Sequence, residues 1–184
     1  FAGTLGGGVF LSTNRGTRWT EINSGLTAMG VYSLGSFGTS LFAGTRCGVH
    51  VLAGGSSSWA TVCTGGNPDV HICALAVRGA ELFAAAAWGL VRGNPNLLSG
   101  TEWGGSRNIP MGWGIFHSTD NGDTWVPQMG VRANCLAIRS TDVFAGSGGV
   151  FRSTNNGTSW SPASSGLPCD SVYGYYHGVF AFGV

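Results

Sequence analysis

Eight-residue strings recur along the chain almost letter for letter: STNRGTRW at 12–19, STDNGDTW at 118–125 and STNNGTSW at 153–160. A degenerate copy, LAGGSSSW, stands at 52–59. A second string, built on Phe-Ala, returns at Phe1, Phe42, Phe83, Phe144 and Phe180, in steps of 41, 41, 61 and 36 residues. Self-similarity near forty residues means stacked supersecondary units, none of which buries its own faces alone.

Within a unit the apolar pattern is that of short strands separated by Gly, Asn, Ser and Thr turns, and no window sustains a 3.6-residue apolar stripe. Each unit reads as four strands. The innermost are expected over 31–36, 71–77, 133–139 and 171–176, and the second strands carry Phe-Ala, with Phe180 in the last of these. The third strands are expected over 8–12, 48–52, 115–118 and 149–153, and the fourth begin at Trp19, Trp59, Trp125 and Trp160. The units fall at about 1–30, 31–70, 71–132, 133–170 and 171–184, about four and a half in one domain over 1–184. Four antiparallel strands repeated around an axis predict an all-β fold, a β-propeller.

The strings at 12–19, 118–125 and 153–160 resemble Asp-box (BNR) repeats, the S-x-D-x-G-x-T-W motif of sialidases, xyloglucan-degrading hydrolases, sortilin-type receptors and photosystem II assembly factors. Residue by residue, the resemblance implies structural turns at Ser12, Asn14, Gly16 and Trp19; at Ser118, Asp120, Gly122 and Trp125; and at Ser153, Asn155, Gly157 and Trp160. The degenerate copy keeps Trp59. The Asp or Asn side chain is expected to accept backbone amides of its own turn. The glycine supplies a geometry that a Cβ would penalise, and the Trp wedges between blades. Asn replaces the consensus Asp in two of the three good copies without losing the acceptor. Such repeats recur on proteins that share no activity, so they speak for fold rather than function. The chain opens at Phe1 inside a repeat, without initiator Met or leader, which fits a removed leader or a segment of something longer. Its phase leaves open a compact four-bladed ring, part of a larger ring, or a ring completed by a second chain.

Composition excludes several functions. Nine arginines, no lysine and a net charge of +1 give no basic stripe for a nucleic acid. The longest apolar run, 82–91, is about half of what a membrane-spanning helix needs. Only 9% of residues are charged and 33 are glycine, a surface poorly protected against self-association.

The third unit carries an insertion of about 25 residues over 88–114, on the face where propellers usually bind ligands. Its Trp88, Arg92, Glu102, Trp103, Arg107 and Trp113 could pack on a sugar ring and bond its hydroxyls, or pin the loop and meet a protein. No catalytic carboxylate pair is identified. Asp120 and Asp123 fall in a structural turn, while Glu81 and Asp142 fall on the face opposite the insertion. Aligned blades place Val51 opposite Trp59 and Cys47 opposite Cys63, a candidate disulfide that would indicate an oxidising compartment. No cysteine or histidine cluster has metal spacing, and no metal or cofactor is expected. The expectation is a secreted or cell-surface, non-catalytic propeller module for protein contact, self-assembly or scaffolding. The alternative is a glycan-binding module or a fragment of a sialidase- or xyloglucanase-like hydrolase.

Overall fold

The computed structural model describes residues 1–63, 70–88, 114–128, 131, 133–167, 179 and 181–183; for Cys63, Val70, Ala87 and Trp88 only the backbone is described. The described residues form fifteen strands in four sheets, without a helix. The first sheet has β1 (Ala2–Thr4), β2 (Gly8–Leu11) and β3 (Thr20–Glu21). The second has β4 (Val31–Phe37), β5 (Ser40–Thr45), β6 (Gly48–Leu52) and β7 (Ala60–Cys63). The third has β8 (Val70–Arg78), β9 (Glu81–Trp88), β10 (Gly114–Ser118) and β11 (Val126–Gln128). The fourth has β12 (Cys135–Arg139), β13 (Asp142–Gly146), β14 (Val150–Ser153) and β15 (Ser161–Pro162). Every sheet is an antiparallel meander in chain order. Each fourth strand begins one residue after the Trp that the sequence marks.

Sheets buried on both faces need apolar side chains at successive positions rather than alternate ones. The run Leu82-Phe83-Ala84-Ala85-Ala86 in β9 meets that need. Leu82, Ala84 and Ala86 join Phe42, Val49 and Trp125 in one core cluster between the second and third sheets. Phe83 and Ala85 join Ile115, Val143 and Ala145 in another between the third and fourth. A third cluster, with Val9, Val31, Leu41 and Trp59, joins the first two sheets. The core is therefore three slabs, one between each pair of consecutive sheets.

The glycine that follows Phe-Ala allows the sheets to come this close. A Cβ on Gly3 would stand 2.6 Å from Val31 Cγ1, and one on Gly44 would stand 2.8 Å from Ile72 Cγ2. Such contacts are closer than side-chain carbons tolerate. The same position in the fourth sheet, Gly146, faces Val179 Cγ1 at 2.7 Å. Val179 thus occupies the place that Val31 and Ile72 hold in the first strands of their sheets, whereas the Phe-Ala string places it beside a second strand. The string Val179-Phe180-Ala181-Phe182-Gly183 is ambiguous because small and aromatic residues alternate in both strand types.

Side-chain bonds run between successive innermost segments. Leu75 N donates to Ser33 Oγ (2.8 Å), Cys73 Sγ to the Ala133 carbonyl (3.2 Å), and Cys135 Sγ to the Val179 carbonyl (3.5 Å). Burial pushes the Cys73 thiol up to about 11, so it remains a protonated donor.

One register expectation is corrected. Val51 lies opposite Ala60, and an irregularity between Val49 and His50 brings Val49, not Cys47, opposite Cys63. A bulge adds one residue to one strand and shifts all pairing beyond it. Counting back from the turn could not reveal it.

Candidate functional site

The two ends of the sheets differ in chemistry. The end that carries the recurrent strings is closed by side chains. In the third sheet Ser118 Oγ accepts Gly122 N–H (2.8 Å) and donates to Asp120 Oδ1 (2.8 Å), which in turn accepts Thr124 N–H (2.8 Å). The fourth sheet repeats this with Ser153, Asn155, Gly157 and Ser159. The first repeats it with Ser12, Asn14, Gly16 and Arg18. The carboxamide or carboxylate accepts backbone amides of its own turn, as expected. The serine is the unexpected hub: it holds the acceptor and binds the glycine amide at once. The hydroxyl of Thr124, first among the causes, holds the Asp120 carboxyl down at about 2.

Each turn also carries a non-glycine residue at positive φ immediately before the glycine: Arg15 (58°), Asn121 (58°) and Asn156 (56°). With Gly16, Gly122 and Gly157 also positive and an amide-to-carbonyl bond spanning the turn, this is type I′ geometry. The Asn-Gly dipeptides at 121–122 and 156–157 are the sequence signal for it.

The tryptophans pack forward onto the preceding sheet. Trp59 is 4% exposed and donates to the Ile22 carbonyl (2.6 Å), while Trp125 is 5% exposed and donates to the Gly122 carbonyl (2.7 Å). Trp160 is half-buried against the slab between the third and fourth sheets. Trp19 departs from the expected wedge. It is 44% exposed, because no sheet stands in front of the first one among the described residues.

The same end holds a polar cluster that ties the third sheet to the fourth. Arg78 Nε donates to Glu81 Oε2 (2.8 Å), its Nη1 to the Ser140 carbonyl (3.0 Å) and its Nη2 to Asn156 Oδ1 (2.6 Å). His117 stacks on Phe83 with centroids 4.2 Å apart, and its Nε2 is 3.6 Å from Glu81 Oε1. Burial pulls the His117 pKa down, Glu81 raises it and Arg78 lowers it further. In the fourth sheet Arg152 pairs with Asp142 at the corresponding positions. Asn156 is therefore engaged in packing, although the Asn156-Gly157-Thr158 string reads as a glycosylation signal.

The opposite end is where the insertion leaves β9 at Trp88 and returns at Gly114. The Trp88 side chain, Arg92, Glu102, Trp103, Arg107 and Trp113 lie outside the described residues. The described part of this end includes the β1–β2 turn, the start of β4, the β5–β6 turn, the start of β8, the start of β12 and the β13–β14 turn. Leu5 is 76% exposed and Tyr32 42% exposed, with Met29 and Arg46 also exposed. Tyr32 stacks on His71 with centroids 5.5 Å apart and planes inclined by 19°. Tyr32 lies at the register shift between Val31 and Ser33, and a bulge re-aims a side chain. Beneath this surface His50 is buried and pulled down by desolvation, with Thr27 Oγ1 2.8 Å from its Nε2. Among the described residues no group of three or more His, Cys, Asp or Glu could hold a metal ion.

Solved structures with this arrangement are β-propellers, and the present sheets are propeller blades. An ancestral GH74 enzyme superimposes with a TM-score of 0.65 at 22% identity, over 92% of this chain and 22% of its own. The GH74 xyloglucanase from Xanthomonas campestris gives 0.51 at 16% identity, over 79% of this chain and 22% of its own. YCF48 bound to D1 peptide gives 0.50 at 10% identity, over 72% of this chain and 39% of its own. The chain spans less than half the length of each of these proteins, and the likeness establishes the fold. No protein-family model matches the chain, and no curated protein does.

Proposed function

We propose that the chain is a non-catalytic propeller module that makes protein–protein contacts, secreted or displayed at a cell surface, with Asp-box turns as its structural closures. The observation that carries this reading is where the described carboxylates stand: Glu21 bonds Asn23, Asp123 shares the turn of Asp120, and the other three hold the turn end. Asp120 closes a turn, Glu81 holds Arg78 and Asp142 holds Arg152, all at the turn end. Glycoside hydrolysis normally needs two carboxylates facing one sugar across ~5–9.5 Å. These three are each engaged with a different partner. The opposite end offers large apolar and aromatic side chains, which suit a protein partner. YCF48, solved bound to D1 peptide, supports the protein-contact reading.

The second reading, glycan binding or cleavage, rests on the GH74 neighbours and on the tryptophans of the 88–114 insertion. Incubation with xyloglucan separates the two. The module reading expects no release of reducing ends above a protein-free blank, and release lost in the Glu102→Gln variant would overturn it. Self-assembly is a further part of the proposal. Light scattering should give a mass that rises with concentration, and a constant monomer mass would remove that part. Fractionation of the source cells tests the location, and a cytosolic chain would contradict it.

A further inference from the structure

The apolar end has a defined composition. The β1–β2 turn lies against the start of β4: the Leu5 carbonyl is 3.5 Å from where a Gly30 Cβ would stand, and Arg46 Cδ is equally close. Gly8 N bonds the Met29 carbonyl (3.0 Å), and Arg46 N bonds the Gly30 carbonyl (3.3 Å). Leu5, Met29, Gly30 and Arg46 are thus contiguous, with the Tyr32–His71 stack following directly along β4. The patch spans the ends of three consecutive sheets. Gly6 and Gly7 leave it open beside Leu5.

Its charge is as specific as its apolarity. Among the described residues in these turns and strand starts, Arg46 is the single charged group, and it is in none of the described ion pairs; the Glu21 carboxylate stands beside the β1–β2 turn, accepting a bond from Asn23 Nδ2, which also bonds the Gly7 carbonyl. An exposed guanidinium framed by apolar side chains is complementary to a carboxylate next to an apolar group. The choice of partner follows from the flanks. A glycan on Tyr32 would turn hydroxyls toward Leu5 and Met29, which offer no hydrogen bonds, at a desolvation cost. A peptide would turn an apolar side chain toward them instead. Exposed methionine also adapts well to side chains of differing shape.

We propose that this face docks a peptide segment with a carboxylate beside a large apolar residue. Arg46 takes the carboxylate, and the Leu5–Met29–Tyr32 surface takes the apolar side chain. The inference rests on the protein-contact reading above and names the partner chemistry of that module.

The test is fluorescence anisotropy with labelled Gly/Ser octapeptides carrying Leu, Met, Phe, Tyr or Trp next to Glu. Matched peptides carry Gln for Glu or Gly for the apolar residue, and labelled oligogalacturonate is included as an anionic glycan. Members of the apolar-Glu set should bind, more tightly at low salt. Arg46→Gln and Tyr32→Ala should each weaken binding about tenfold, as central anchors do. Arg15→Gln, at the other end, should leave it unchanged. Near-UV circular dichroism checks that each variant is folded. Equal binding of the Gln peptides, binding by oligogalacturonate alone, binding unaffected in both variants, or no binding by any apolar-Glu peptide would overturn the proposal. Such a failure with inactivity on xyloglucan would leave the module reading standing, whereas xyloglucan hydrolysis would remove that reading itself.

Discussion

The two ends of the same blades solve opposite problems. At the turn end three reversals, those of the first, third and fourth sheets, are each held by their own serine, their own Asn or Asp and a residue pair at positive φ, and neighbouring sheets are joined by Trp59, Trp125 and the Arg78–Glu81–Asn156 cluster. At the other end the described reversals β1–β2, β5–β6 and β13–β14 are short, and Leu5, Met29 and Tyr32 are exposed beside Arg46. A backbone polar group buried without a partner costs as much as a lost hydrogen bond. The turn end removes that cost with local side chains, which leaves the opposite end free to vary. A scaffold closed at one end, with apolar side chains exposed at the other, suits a binding module.

Removing the indole between sheets should be the strongest way to break this comparison. Trp125→Ala empties a buried site and should cost about 3–5 kcal/mol of unfolding free energy. Trp19→Ala, at the same position of the first sheet, should cost less than about 1 kcal/mol, because that indole is already exposed. Urea denaturation of the two variants side by side checks the difference, and equal losses would mean that the slabs between sheets do not carry the fold.

The serine hub comes next. Ser118→Ala strips a buried acceptor from Gly122 N–H and should cost about 1–3 kcal/mol. Ser12→Ala, in the exposed copy, should cost about 0.5–1 kcal/mol by the same measurement.

The intersheet cluster sharpens the comparison through pH. The His117 pKa lies below its unfolded value near 6.5, so the unfolded chain binds more protons in the window below that value. The stability contribution is therefore complete above about pH 6.5 and declines as pH falls toward the depressed folded value. His50 acts in the same direction. His117→Phe keeps a ring against Phe83 and should flatten part of the loss between pH 7 and 5, measured as Tm against pH. An unchanged slope would place the titration elsewhere.

The smallest effects belong to the open end. Leu5→Ser and Arg46→Gln should change stability by less than about 0.5 kcal/mol, since neither side chain closes a turn or fills a slab. Losses comparable to that of Ser118→Ala would make this end part of the scaffold.

The scaffold was largely legible in the sequence, because its parts are local. The STxxGxxW strings place three of the turns and the fourth strands that follow them, since serine, Asn or Asp, and glycine act within five residues of one another. The continuous apolar run of β9 likewise announces a strand buried on both faces. What escaped was set by distant groups. Trp19 is exposed because of what lies in front of its sheet, not because of its own string. The bulge that moves Cys63 opposite Val49 leaves no mark in composition. Val179 takes a first-strand place because Gly146 admits it. The Tyr32–His71 stack joins residues from two sheets, and neither residue stands out alone.

Amide hydrogen exchange on the intact protein tests the contrast between the ends most directly. Gly122 and Gly157 donate to buried serines at the turn end, while Gly6 lies exposed at the other. Protection of the first two comparable to that of β9, with Gly6 exchanging freely, is the expected result. Rapid exchange at Gly122 and Gly157 alongside protected strands would contradict a scaffold closed by its own turns.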